Sequence, residues 1–382
     1  MYSTLLGSVT PRRFLAEFWQ RKPLIVRNAM HGLADIADRA RLLALARRDN
    51  VESRIVRGSR HEWHVEQGPF SRRDIARLPA GEWTLLVNGV ETLLARARAV
   101  QHAFDFVPFS RHDDIMISYA APGGSVGPHF DSYDVFLLQA SGTREWHLSA
   151  QKDLALIEGA PLKLLRTFRP HRTVTLNAGD MLYLPPRYAH YGIASGECIT
   201  WSVGFRAPSR QEIAGRMLDY LHDTRELEGH YRDPGLAMQR HPSAISKAML
   251  DRMARMIEGV RWSRADVTLC VGAYLSEPRV NTVFTRGRPI TRVRFAAMAA
   301  RHGLRLSLKT RMLCHGRFVF INGEAHAVSD ASSRTLLLQL ADRRRMESGL
   351  SIAADSLSLL HEWHRSGYLE IDRSVVRREA SS

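Results

Sequence analysis

Short apolar runs broken by Gly, Pro, Asp and Asn fill the middle of the chain. Between about Ile115 and Phe205 they recur as IMISYA, VFLLQA, EWHLSA, TVTL, MLYLPP and ITWSVGF. Runs this short, bounded by turn-forming residues, predict an antiparallel barrel or sandwich rather than helices. Upstream, residues 11–28 place Phe14, Leu15, Phe18 and Trp19 on one helical face, stop before Pro23 and continue as an apolar strand.

After Pro208 the apolar period becomes helical. Ser209 and Glu212 have capping-box spacing, and Ile213, Met217, Tyr220 and Leu221 follow on one face. A second helix is expected after Pro242, with Ser243 as N-cap and a stripe of Ile245, Met249, Met253, Met256 and Ile257 ending at Gly259. Such a stripe fits core or a helix-helix contact, and a homodimer seam is one form of the latter. A third helix is expected from about Arg264 to Leu275. The last hundred residues alternate VRFAAMAARHG, LRLSL, FVFING with a turn at Asn322-Gly323, TLLLQLADRR and SLSLLHEWHRSGYLEI. Helix, hairpin, helix, helix and terminal strand suit a small winged-helix-like module. Three regions are therefore expected: a mostly β domain over 1–208, a helical, dimerising segment over 209–277 and the winged-helix-like module over 278–382.

Composition narrows the class. With 382 residues, 45% hydrophobic and 24% charged, the chain has the profile of a soluble globular protein of more than one domain. No stretch has the roughly 18 apolar residues that span a bilayer, and Arg12, Arg13 and Glu17 interrupt any signal-peptide core, so a cytoplasmic protein without membrane contact is expected. Cys198, Cys270 and Cys314 lack metal-knuckle spacing and predict reduced thiols. The net charge of +15 favours polyanions such as RNA, although the basic residues are scattered rather than gathered in one run.

Candidate chemistry concentrates in PGGSVGPHFDSYDVFLLQ, residues 122–139. His129 and Asp131 are two apart, so on an extended chain both leave the same face. An HxD pair alone is weak, since with 17 His about one arises by chance given average Asp usage, and His112-Asp113-Asp114 contains such a decoy. The 129–131 pair differs in opening an apolar strand, in following a Gly/Pro-rich loop and in having His190, within GDMLYLPPRYAHYG, as a third donor. Two imidazoles and a carboxylate suit non-haem Fe(II) and leave coordination positions open. His61-Glu62-Trp63-His64 and His361-Glu362-Trp363-His364 lack the i, i+4 spacing of a helical zinc site. Gly123, Gly124 and Gly127 lead into a strand, which excludes a dinucleotide fingerprint.

The combination of FWQRKPL (18–24), PGGSVGPHFDSYDVFLLQASGTREWHL (122–148), GDMLYLPPRYAHYG (179–192) and WSVGFRAPS (201–209) resembles the bacterial JmjC-type ribosomal oxygenases of the cupin superfamily. Within these it is most similar to the hydroxylases of an arginine in the large-subunit ribosomal protein L-sixteen. The resemblance implies a double-stranded β-helix, Fe(II) on His129, Asp131 and His190, and 2-oxoglutarate and O2 as co-substrates with succinate and CO2 as products. It implies Arg144 as the residue holding the distal carboxylate of 2-oxoglutarate, which a planar guanidinium grips through two parallel hydrogen bonds. Ser118 matches a hydroxyl facing the same co-substrate, and Thr200 is a further candidate for that pocket. Asp114, in strand parity with Met116 and Ser118, and Tyr133 are candidate substrate contacts. The implied partner is a ribosomal protein, and the basic exterior is compatible with ribosomal RNA. Rival readings are a JmjC-type demethylase, a hydroxylase of another basic protein, or a cupin-like metal- or RNA-binding protein without activity. Arg144 discriminates the last, since a binding module needs no buried cation facing its metal.

Overall fold

The computed structural model describes residues 5–59, 62–349 and 352–372. Backbone proximity divides it into two compact units: residues 1–207 with 278–310 and 335–382, and residues 208–277 with 311–334.

The first unit's N-terminal part, residues 24–205, holds eleven strands: β1 (Leu24–Val26), β2 (Ser53–Ser59), β3 (Glu62–Gln67), β4 (Trp83–Val87), β5 (His112–Ala120), β6 (Asp134–Ser141), β7 (Thr143–Ser149), β8 (Arg172–Asn177), β9 (Met181–Leu184), β10 (Ala189–Ala194) and β11 (Cys198–Phe205). Eight of them form one sheet in the order β1-β9-β6-β11-β5-β4-β2-β3, and β10-β7-β8 form a second. All pairings within these sheets are antiparallel. The expected barrel is thus present.

Side chains on each strand alternate between two environments. From the large sheet Ile115, Ile117, Tyr119, Phe136, Leu138, Trp201 and Val203 point to a core that also holds Phe14 of helix α1 (Pro11–Glu17), Leu42 of helix α2 (Arg39–Leu45) and Phe104. On the opposite face Val135, Leu137, Leu182 and Leu184 meet Trp146, Leu148, Val174 and Leu176 of the small sheet. Burying a Leu or Phe side chain contributes about 1.5–3 kcal/mol, so a one-residue slip of β6 or β11 would forfeit several such terms at once. This locks the register on which the functional site depends.

In the second unit, helices Arg210–Thr224 and Arg264–Ser276 pack through Met217, Leu221 and Cys270. Ser263 and Asp266 close a capping box on the latter. The Met-rich helix spans Lys247–Glu258 and is capped by Ser246, whose hydroxyl accepts from the Met249 N–H. It therefore starts later than expected: Ser243 and Ile245 lie outside it. None of its residues is buried, so its apolar stripe is surface rather than core within this chain. The hairpin at Asn322-Gly323 is present between strands Phe318–Ile321 and Glu324–Ala327, with a third strand, Met312–His315, that sequence patterning missed. All three cysteines are free thiols.

Candidate metal and co-substrate site

His129 and His190 reach each other through a two-residue antiparallel bridge. The His129 N–H donates to the His190 carbonyl at 3.0 Å and the His190 N–H returns a bond of 2.8 Å. The HxD pair therefore does not open strand β6 as expected; it sits in an isolated bridge before it. This bridge splices two segments sixty residues apart, and the Arg187 N–H fastens the Asp131 carbonyl at 2.7 Å.

The ring orientations follow from backbone acceptors. Nδ1 of His129 lies 2.9 Å from the Gly127 carbonyl and Nδ1 of His190 lies 2.9 Å from the Tyr188 carbonyl. A carbonyl only accepts, so each Nδ1 carries the proton and each Nε2 presents a lone pair. The two rings lie 4.2 Å apart between centroids, and His190 Nε2 is 3.7 Å from an Asp131 carboxylate oxygen. One donor atom from each of the three residues falls within 4.8 Å of the others. Burial, with the neighbouring His129, pulls the His190 imidazole down to about 4, so it is neutral and a competent ligand at physiological pH. Gly127, with φ near +79°, lets Leu164 and Trp63 close on the loop beside His129. This donor set, with each imidazole anchored by a backbone carbonyl through Nδ1, is one that a non-haem divalent iron takes.

Behind the histidines the inner face of β7 carries Arg144, Trp146 and Leu148. His190 is paired in register with Leu148, and Arg144 with Ala194 deeper in the barrel. Trp146 lies 5.7 Å from the His190 ring, and the Arg144 guanidinium lies 5.6 Å from Trp146. Gly192, opposite Trp146, leaves room for that indole; a Cβ there would stand 2.7 Å from the ring. Arg144 is only 6% exposed, and burial lowers its pKa, opposed by its contact with Cys198. Nε of Arg144 and Nε1 of Trp146 are buried without a hydrogen-bond partner. Among the described residues no carboxylate pairs with Arg144.

Ser118 and Thr200 face each other across β5 and β11. Both are buried; Ser118 donates to the Thr200 carbonyl at 3.3 Å and Thr200 to Gln139 Oε1 at 3.0 Å. Asp114 shares the parity of Ser118, borders Gly204 and Tyr133, and already holds a guanidinium: Nη1 of Arg279 is 2.5 Å from its Oδ2, which also accepts from the Gly89 N–H at 3.3 Å. Burial raises the Asp114 pKa and Arg279 offsets part of that rise. Asp131, with burial, raises the Tyr133 phenol. Trp146, Gln139, Cys198 and Arg279 were absent from the sequence-derived site. Parity with Arg144 points to Trp146; nothing local announces Arg279. The decoy His112 is buried against the Phe104 and Val107 carbonyls, and of the two HExH runs His61 lies outside the described residues.

A JmjC domain family matches residues 99–213, and a ROXA-like winged helix matches residues 259–370. The chain is 34% identical to the ribosomal protein uL16 3-hydroxylase of Escherichia coli over 64% of its own length. It is 38% identical to a probable ribosomal oxygenase of Haemophilus influenzae over 57% of its length. The chain spans 65% and 55% of the length of these two relatives. An X-ray structure of YcfD from E. coli superposes with a TM-score of 0.83 at 27% identity, covering 95% of this chain and 98% of that one. The structure of YcfD, a ribosomal oxygenase, in complex with cobalt and 2-oxoglutarate gives 0.79 at 28% identity with the same coverage.

Proposed function

Because a JmjC domain model matches residues 99–213 and a ROXA-like winged helix matches residues 259–370, we propose that the chain is a JmjC-type Fe(II)- and 2-oxoglutarate-dependent protein hydroxylase. Its substrate in this reading is an arginine of the large-subunit ribosomal protein uL16, the protein on which the E. coli relative acts. The carrying observation is that two imidazole Nε2 lone pairs and the Asp131 carboxylate converge in the barrel that also buries an unpaired guanidinium.

His129, Asp131 and His190 would hold the metal, which when bound with dioxygen supplies oxidative decarboxylation of 2-oxoglutarate to succinate and CO2 and oxygen insertion into a substrate C–H bond. Arg144 receives the distal carboxylate of the co-substrate, replacing water lost on burial with a charge-assisted pair. The Ser118 hydroxyl, which can turn from the Thr200 carbonyl toward the co-substrate, adds a hydrogen bond, with Thr200 beside it. The Gly127 and Tyr188 carbonyls fix the imidazole tautomers. Tyr133 and the edge of Asp114 facing it form the lip that takes the substrate side chain. No residue need act as general base; positioning and exclusion of water are the protein's tasks.

The uncovered stripe of the Lys247–Glu258 helix, with Leu250, Met256 and Ile257 at 54, 46 and 74% exposure, supports a homodimer. A ribosomal-protein substrate places the proposed reaction in the cytoplasm; separately, among the described residues no helix is long and apolar enough to cross a membrane.

His129→Ala or Asp131→Ala should abolish succinate formation and Co(II) binding while far-UV circular dichroism is unchanged. Retained turnover in either variant sinks the metal assignment. Mass spectrometry of ribosomal proteins from cells with and without the gene should find one uL16 arginine heavier by about 16 Da, the mass of the inserted oxygen.

A further inference from the structure

The small sheet β10-β7-β8 has one face in the barrel and the other in solvent. Its outer positions are exposed or half-buried: Glu145 and His147 on β7, Thr173 and Thr175 on β8, Tyr191 and Ile193 on β10. Aromatic rings collect there. His147 lies 6.0 Å from Tyr191, Phe168 meets Tyr191 edge-on at 6.2 Å, and His147 Nδ1 is 3.1 Å from Thr173 Oγ1.

The segment that leads into β8 brings the charge. Lys163, Arg166, Arg169 and Arg172 are all exposed, and among the described residues none forms an ion pair with a carboxylate. The 150–172 excursion holds these four and Lys152 against Asp153 and Glu158, and Asp153 accepts from its own segment's Ala155 N–H. Glu145 is bound to His147 at 2.9 Å. The excursion is pinned beside the metal ligands: the Leu165 N–H donates to the carbonyl of Pro128, the residue before His129, at 2.9 Å. Phe168 is carried on the same segment as the uncompensated cations.

We propose that the outer face of β10-β7-β8 and the basic segment 163–172 form a binding surface for single-stranded RNA. Half-buried rings on and beside the outer face of an antiparallel sheet are a platform on which unpaired bases stack, and guanidiniums along its border meet the phosphates. A base stacks on Tyr191 and Phe168, the sugar edge meets the hydroxyl of Thr173, and Lys163, Arg166, Arg169 and Arg172 neutralise the backbone. The inference deepens the ribosomal reading above by explaining how a chain of net charge +15 approaches a basic protein: it grips the nucleic acid around that protein. Duplex RNA keeps its bases stacked on each other and cannot use the rings.

The test is fluorescence anisotropy with fluorescein-labelled oligouridylate of about twelve nucleotides, within the span such sites cover. It uses the full-length metal-free protein, so binding does not depend on turnover and the hydroxylase reading stands or falls separately. Tyr191→Ala should weaken binding about tenfold, the range of a lost stacking contact. The triple variant Arg166→Gln, Arg169→Gln, Arg172→Gln should lower the slope of log affinity against log salt by about 2, at about 0.7 per phosphate contact. A control triple on exposed arginines elsewhere, Arg47→Gln, Arg48→Gln, Arg72→Gln, should leave affinity within about twofold. Equal losses in the control, equal affinity for a duplex, or equal competition by polyglutamate would overturn the proposal in favour of diffuse charge or an acidic protein partner.

Discussion

Arg144 is a buried guanidinium and Arg279 a half-buried one in the same compact unit, and they are provisioned in opposite ways. Arg279 has its anions built in: Asp114 at 2.5 Å and Glu52 at 2.9 Å. Burial works to lower its pKa, yet Asp114, Glu91 and Glu52 raise it on balance. Arg144 has a tryptophan face, a thiol and an unsatisfied Nε. Desolvating a cation without an anion costs several kcal/mol, on the order of the whole margin of stability. A fold keeps such a group where a ligand brings the missing charge, so the contrast marks Arg279 as structural and supports the ligand-binding role proposed for Arg144.

The largest expected effect comes from Arg144→Met. Truncating one side of a buried charge pair costs about 2–5 kcal/mol, so KM for 2-oxoglutarate should rise about thirtyfold or more. Unliganded thermal stability should hold or increase, because the substitution removes an uncompensated charge from the interior. Steady-state kinetics with calorimetry would check both halves. A destabilised variant with unchanged KM would make Arg144 structural and erase the contrast.

Arg279→Met should behave in reverse, losing about 3 kcal/mol of stability with KM for 2-oxoglutarate unaltered. The deficit should depend on pH. Burial raises Asp114 and Glu91, with Arg279 among the groups opposing both. A carboxylate whose folded pKa is raised loses stability as pH climbs through the unfolded value near 4. Without Arg279 the rise is larger, so the variant's penalty should be smallest in acid and grow toward neutrality. Adding Asp114→Asn should recover part of the loss, giving a non-additive cycle. Strict additivity in denaturant titrations would show that the pair is not coupled.

What was legible in the sequence follows the same division. The metal ligands could be read because their chemistry is local: a two-residue spacing, a Gly/Pro loop, and a second histidine presented after a Pro-Pro stop. Arg144 was singled out through family resemblance and the fit of a guanidinium to a carboxylate. The eleven-strand count was not, since β2 and β3 (RIVRGS, EWHVEQ) interleave charges with few apolar residues and gave no run to detect. The register shift from Ser243 to Ser246 reflects two serines three apart, either able to cap; the backbone of Met249 selects one. Asp114 was placed on the correct face by parity, but its engagement by Arg279 joins residues far apart in the chain, and no local pattern encodes such a pair.

The smallest effect concerns a third arginine and carboxylate, Arg225 and Asp266, 2.5 Å apart in the other unit. Here the carboxylate is held chiefly by the Ser263 backbone N–H and hydroxyl, with Arg225 adding to them, and its pKa falls to about 2. A folded pKa below the unfolded value means the stabilisation is complete above about pH 4 and is lost as pH falls toward 2. Asp266→Asn should therefore flatten the acid limb of the stability profile over that window and leave the neutral behaviour of Arg144 and Arg279 variants untouched. Hydrogen exchange of the Arg264–Ser276 helix against pH would check this. An unchanged acid limb would show that ionisation of Asp266 contributes nothing to the stability of this helix, whichever of Ser263 and Arg225 holds the carboxylate.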